Sequence, residues 1–447
     1  MKDSYGLMKE SISEVKIVDS HEHLIPEKLR ISTNADPLTI FFLHYASSDL
    51  ISSGMQKQEF SSILDSRVSL QERWKTLSPF WDDIKYTGYA RALQIAARDL
   101  YGIGEIGEQT IMQLSDQMKA ANHAGLYNWV LREKAGIEKC LLDSLEEVQP
   151  FLFNHVLRTE LDSTLFAPVA TFDEFVMVNT IQGLRKLSAK VGSPIHSFDD
   201  LLRALDTYFE KVQNSIFGVK IVLAYYRGLN FDKTDVSAAE KAFNKIFNAQ
   251  PADWSPNSVS NSVLMYGPSQ EEAKPLQDFL VHRLIQLAER YQLPVQVHTG
   301  LQEGNGNVLT NSHPLSLTNL FTEYSEVRFD IFHGGYPYTG ELAAIAKNFQ
   351  NVYIDMCWLH IISPSRARLA LSEWLDTVPA NKILAFGGDY LFVEGVYGHS
   401  IIARENVARV LAEKVDEKSM TIEDAKNVAR KLLRENAIRL FFEKRMG

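Results

Sequence analysis

Cysteine is nearly absent from these 447 residues, and Cys140 and Cys357, the only two, stand in no CxxC spacing. Each lies in an apolar stretch ("IEKCLLD", "YIDMCWL"), so buried free thiols are expected in place of a redox pair, consistent with a reducing compartment. No block of lysines or arginines occurs, and the formal net charge is -10. Phosphate binding needs a concentrated basic surface, so nucleic acid and anionic membranes are excluded as expected partners. The N-terminal "MKDSYGLMKESISEVK" lacks the apolar core of a signal peptide. No apolar run approaches the roughly 20 residues needed to span a bilayer. A soluble, cytoplasmic protein is expected. Neither G-x-G-x-x-G nor G-x-x-x-x-G-K-[ST] appears at a strand-to-helix turn, which weakens a nucleotide-binding reading. Internal repeats and low-complexity linkers are also missing.

What is present is an alternation. Short β-rich runs ending in polar or glycine residues fall at 15–23, 139–145, 164–173, 217–228, 293–300, 327–335, 351–358 and 382–389. Amphipathic helical patterns lie between most of them. In residues 275–292, Leu276, Phe279, Leu280, Leu284 and Leu287 have the spacing of one buried stripe. Strands alternating with helices imply a parallel sheet, and eight such units favour a closed (β/α)8 TIM barrel over an open sheet. The stretch between the first two strands is far longer than a normal βα loop. Its helical patterns at 86–102 and 124–136 indicate a helical insertion or lid. The expected division is a barrel from 1–30 and 137–447, with the insertion at 31–136. Two extra helices close the chain, the second opened by a capping box at Thr421.

Barrel enzymes carry catalytic groups where strands finish, because the βα loops form the functional face. The first strand ends in His21 and His23 ("DSHEH"), which alternation places on one face with Glu22 on the other. The fifth ends in His298 ("VHTG"), the sixth in His333 ("FHGG") and the eighth in Asp389 ("GGD"). The fourth carries Lys220 and finishes near Arg227. Singly, each histidine could be a satisfied structural group, and Asp389 could cap the next helix. Together, these imidazoles and the carboxylate suit a borderline cation such as Zn²⁺.

On these motifs the chain resembles the amidohydrolase superfamily of metal-dependent barrels, and within it the amidohydrolase-2 group. "GVKIVLAYYRGL" and "DAKNVARKLLRENAIRLFF" are similar to the amidohydrolase-like domain fused to some glutamine synthetases. The insertion after strand one is similar to that of uronate isomerases. The resemblance implies His21, His23, His298 and Asp389 around one divalent metal, Zn first, with Mn and Fe as alternatives. It implies His333 as a catalytic histidine beside the metal and Asp389 as the group that takes a proton. Some relatives bridge two metals with a carboxylated lysine at the end of strand four. Lys220 is followed by "IVLAY", five residues of expected strand, and reads as too deep for that role, so one metal is favoured over two. Lys220 and Arg227 are instead candidates for binding a substrate carboxylate, Arg227 being equally readable as a salt bridge. The expected activity is hydrolysis of an amide, ester or lactone bond in a small, carboxylate-bearing molecule. Uronate-isomerase-like isomerisation and non-oxidative decarboxylation are the alternatives on the same site, and a scaffold barrel without activity ranks below them. The sequence leaves homo-oligomerisation open.

Overall fold

The computed structural model describes residues 3–143, 161–249, 255–256, 266–267 and 269–443. The end of the strand expected at 139–145 lies outside the described residues, as does His155. Eight parallel strands follow one another in chain order around a nearly closed (β/α)8 barrel. They are β1 (Ile17–Glu22), β2 (Ile137–Asp143), β3 (Phe166–Thr171), β4 (Val219–Ile221), β5 (Val295–Val297), β6 (Phe329–Ile331), β7 (Val352–Asp355) and β8 (Ile383–Leu384). The chain after β8 returns to β1, where Phe386 O accepts from Ser20 N at 3.1 Å and His21 O accepts from Asp389 N at 2.8 Å. All six residues of β1 are buried, as expected for a parallel sheet covered on both faces.

Two compact units divide the chain. The first comprises 1–167, 303–305 and 355–439, and the second 168–302, 306–354 and 440–447. Residues 31–136 belong to the first. They are helical, as their periodicity predicts. The pattern at 86–102 forms the helix Gly88–Tyr101, opened by the Thr87 side chain and closed by Gly102 at φ 70°. Trp74 and Trp81 are core residues here, and the Trp81 indole donates to Ile106 O at 3.1 Å. In the same unit, the helix Val393–Asp416 packs against Gly88–Tyr101 with almost no room between backbones. A Cβ on Gly398 would meet Ala92 O at 2.0 Å. The helix Ile422–Arg430 is opened by a reciprocal Thr421–Asp424 box.

In the second unit, Ser269 and Glu272 cap the helix Gln270–Arg290, which buries the expected Leu276, Leu280, Leu284 and Leu287, whereas Phe279 at the edge of that stripe is only half-buried. β4 corrects an expectation. The run 217–228 does not continue as strand beyond Ile221, because Asp173 Oδ2 captures Val222 N at 2.9 Å and the backbone turns into a short helix at Leu223–Tyr225. Lys220 therefore sits next to the last strand residue, and the depth that argued against a bridging position is absent. Among the described residues, no helix is long and apolar enough to cross a membrane. Cys140 and Cys357 are buried thiols.

Candidate metal centre

Three sequence-predicted residues of the first unit converge. His21 Nε2 and His23 Nε2 are 3.1 Å apart, and Asp389 Oδ1 lies 3.4 Å from the first and 3.3 Å from the second. The edges of this donor triangle match those of a tetrahedral site, about 3.4 Å when bonds are about 2.1 Å. His23 Nδ1 faces the carbonyl of Asp143 at 3.0 Å. A carbonyl only accepts, so Nδ1 carries the hydrogen and the Nε2 lone pair points at the other two donors. Two imidazole nitrogens and a carboxylate oxygen converge here, a ligand-atom set that suits a divalent cation. The residues present fit such an ion.

Asp389 is positioned by an unusual backbone. Its φ is 59°, a left-handed conformation in which aspartate is tolerated better than most side chains. Around it, His21 O takes the Asp389 N–H, Tyr390 O accepts from His23 N at 3.2 Å, and His399 Nδ1 donates to Gly388 O at 3.1 Å. Two fully buried carboxyl groups on β1 also reach this loop. Asp19 Oδ1 accepts from Gly388 N at 3.1 Å, and Glu22 Oε2 accepts from Tyr390 N at 2.9 Å. Burial pushes Asp19 up to about 6 and holds Glu22 well above the usual carboxylate range, the Asp19 charge adding to the second. The sequence alternation that set Glu22 aside misses this because β1 is irregular between Asp19 and Glu22.

An aromatic cluster from the insertion adjoins the triad. Tyr45 stacks on Trp358 with centroids 4.5 Å apart and on Tyr89 at 5.2 Å. His44 packs on Tyr45 at 3.9 Å, and its Nδ1 is buried without a hydrogen-bond partner. Burial, reinforced by His23, pushes the His44 imidazole down to about 3 and keeps it neutral. In the sequence, His44 and Tyr89 lie within the insertion, where aromatic residues at helical spacing read first as core, and nothing in "FLHYASS" marks Tyr45.

In the second unit, His298 and His333 form a buried pair with His333 Nε2 and His298 Nδ1 2.9 Å apart. His298 Nε2 faces Leu301 O at 3.0 Å and so carries the hydrogen. Its Nδ1 therefore accepts from His333 Nε2–H. His333 has a φ of 63°. Lys220 Nζ lies 3.6 Å from the centroid of the Phe332 ring. The carboxylate that Arg227 holds in this structure is Asp278, at 2.7 Å. Its guanidinium also donates to Gln277 Oε1, Asn230 O and Gly228 O.

Residues 265–442 match the family model described as Amidohydrolase, in line with the resemblance read from the sequence. Protein fluG of Emericella nidulans is 28% identical over 332 residues, covering 68% of this chain and 36% of fluG. The chain thus spans about a third of the length of that curated relative. Two solved structures share the fold. One is a uronate isomerase from Thermotoga maritima, with a TM-score of 0.80 at 15% identity over 98% of this chain and 97% of that one. The other is a proposed metal-dependent hydrolase from Lactobacillus casei, with a TM-score of 0.63 at 16% identity over 98% of both chains.

Proposed function

We propose that this protein is a metal-dependent hydrolase that opens an amide, ester or lactone bond of a small, carboxylate-bearing molecule. The observation that carries the reading is the His21–His23–Asp389 triangle with the His23 lone pair turned into it. These three side chains would hold one divalent cation, Zn²⁺ first by donor type. When bound, such an ion supplies Lewis-acid polarisation and makes water acidic enough to ionise near neutrality. Asp389 takes up a proton at its carboxylate and returns it to the leaving group. As strand-end histidines, His333 is assigned the polarisation of the substrate oxygen and His298 a further ligand position. In this structure the His333 Nε2–H is given to His298 Nδ1 and the His298 Nε2–H to Leu301 O, so either role requires those two bonds to open. Both enter the proposal through their place at the ends of parallel strands. Lys220 is the proposed cation for a substrate carboxylate, whereas the internal bonds of Arg227 support a bracing role for it. A cytoplasmic location and a small-molecule partner belong to the same reading.

Metal analysis of purified protein, paired with turnover on lactones, acyl-amino acids and aromatic carboxylates, tests this. Wild type should hold about one metal per chain, and His21→Ala and Asp389→Ala should lose metal and turnover together. Retention of both in either variant would overturn the reading. A second reading, sugar isomerisation, is favoured by the likeness to the Thermotoga maritima uronate isomerase over nearly the whole chain. Turnover of uronates without turnover of the hydrolytic panel would select it.

A further inference from the structure

Glu22 stands between the two histidines of β1, is fully buried, and has no place in the proposed chemistry. Its Oε2 accepts from Tyr390 N at 2.9 Å, and Oε1 lies where a Cβ on Gly388 would come within 1.8 Å. The carboxyl is thus pressed against bare glycine backbone on one side of Asp389 and bonded to the peptide N–H on the other. Asp19 holds the same loop from its other end, through Gly388 N. Between these anchors, Asp389 adopts its left-handed φ of 59°. A non-glycine residue keeps that conformation only when its surroundings over-determine it.

We propose that Glu22 is a positioning residue for Asp389, fixing through Tyr390 N and the bare Gly388 backbone the peptide geometry that aims Oδ1 at His21 and His23. The inference rests on the reading of that triangle as a metal centre. It is a statement about backbone support: Glu22 touches neither the cation nor the substrate. Gly388 is part of the same device, since any side chain there would displace the carboxyl. Outer groups that orient ligands commonly change metal affinity by 10–100-fold when lost.

The test is Zn²⁺ affinity, measured by competition with a chelator of known affinity, in wild type, Glu22→Ala, Glu22→Gln and Gly388→Ala. The melting temperature of each metal-free protein is recorded alongside. Glutamine keeps an oxygen for Tyr390 N, so Glu22→Gln should bind within about threefold of wild type. Glu22→Ala should bind 10–100-fold more weakly. Gly388→Ala should weaken binding similarly, and serves if Glu22→Ala fails to fold. Wild-type affinity in a folded Glu22→Ala or Gly388→Ala would overturn the proposal. So would equal weakening in Glu22→Gln and Glu22→Ala, which would mark charge and not backbone support. If wild type itself takes up no Zn²⁺, the metal reading falls first and this inference with it.

Discussion

His360 shows what burial does to an imidazole away from the triad. It is fully buried, donates from Nε2 to Ala385 O at 2.9 Å and accepts from Asn406 Nδ2 at 3.1 Å. Burial pushes it down to about 4. Between pH 4 and about 6.5 the unfolded chain therefore binds a proton that the folded protein refuses. The stabilisation is complete above about 6.5 and is lost as the pH falls towards 4, by up to about 3 kcal/mol. Urea unfolding across that range should show a steeper loss in wild type than in His360→Gln. Equal slopes would contradict it. Arg227 gives a second prediction at this scale. Removing its partner through Asp278→Ala leaves a buried guanidinium without a counter-charge, and should destabilise the protein by about 3–5 kcal/mol. Arg227→Met in the same chain should recover much of the loss, as read by melting temperature. The sequence could place Arg227 near a strand end. It could not show that Asp278, 51 positions later on a helix, takes up its charge. Glu22 was invisible for a related reason: strand alternation says which way a residue points in an ideal strand, and β1 departs from one at that residue.

Elements meet where side chains are missing. Gly398 on Val393–Asp416 faces Ala92 O, and a Cβ on Gly88 would come within 2.1 Å of Ile361 O. Both obstacles are backbone, which cannot rotate away. Gly398→Ala should lower the melting temperature, at a cost on the order of 1–3 kcal/mol for overpacking, and Gly88→Ala should behave similarly. A Gly398→Ala protein as stable as wild type would mean that the two helices slide apart freely. The same scale separates what was legible from what was not. Long amphipathic patterns such as 275–292 announced their helices, and Thr421 announced its cap, because those signals are local. The run 217–228 misled because the residues that continue β4 in composition are turned aside by Asp173, a side chain 49 positions earlier.

At the scale of the whole molecule, the barrel was legible because eight strand-like runs and their intervening helices repeat one local pattern. The site was legible as far as its residue types, since histidines and aspartate closed those runs. The aromatic cluster was not, because Tyr45 and Trp358 lie 313 positions apart and only the fold makes them stack. If the triad holds a cation, binding acts on the entire folding equilibrium. Zn²⁺ at a hundredfold excess over its dissociation constant should add about 2.7 kcal/mol. Chelation should therefore lower the melting temperature of wild type, and His23→Ala should be indifferent to it. Residues 19–23 also show how densely one short segment is committed. Asp19 and Glu22 take peptide N–H groups of the loop beyond β8, Ser20 donates to Phe386 O, and His21 and His23 face Asp389. An ordinary strand tolerates mutation at every second position. This one should read, in a saturation scan scored by metal retention, as five consecutive intolerant sites, so natural drift has almost no neutral path through it.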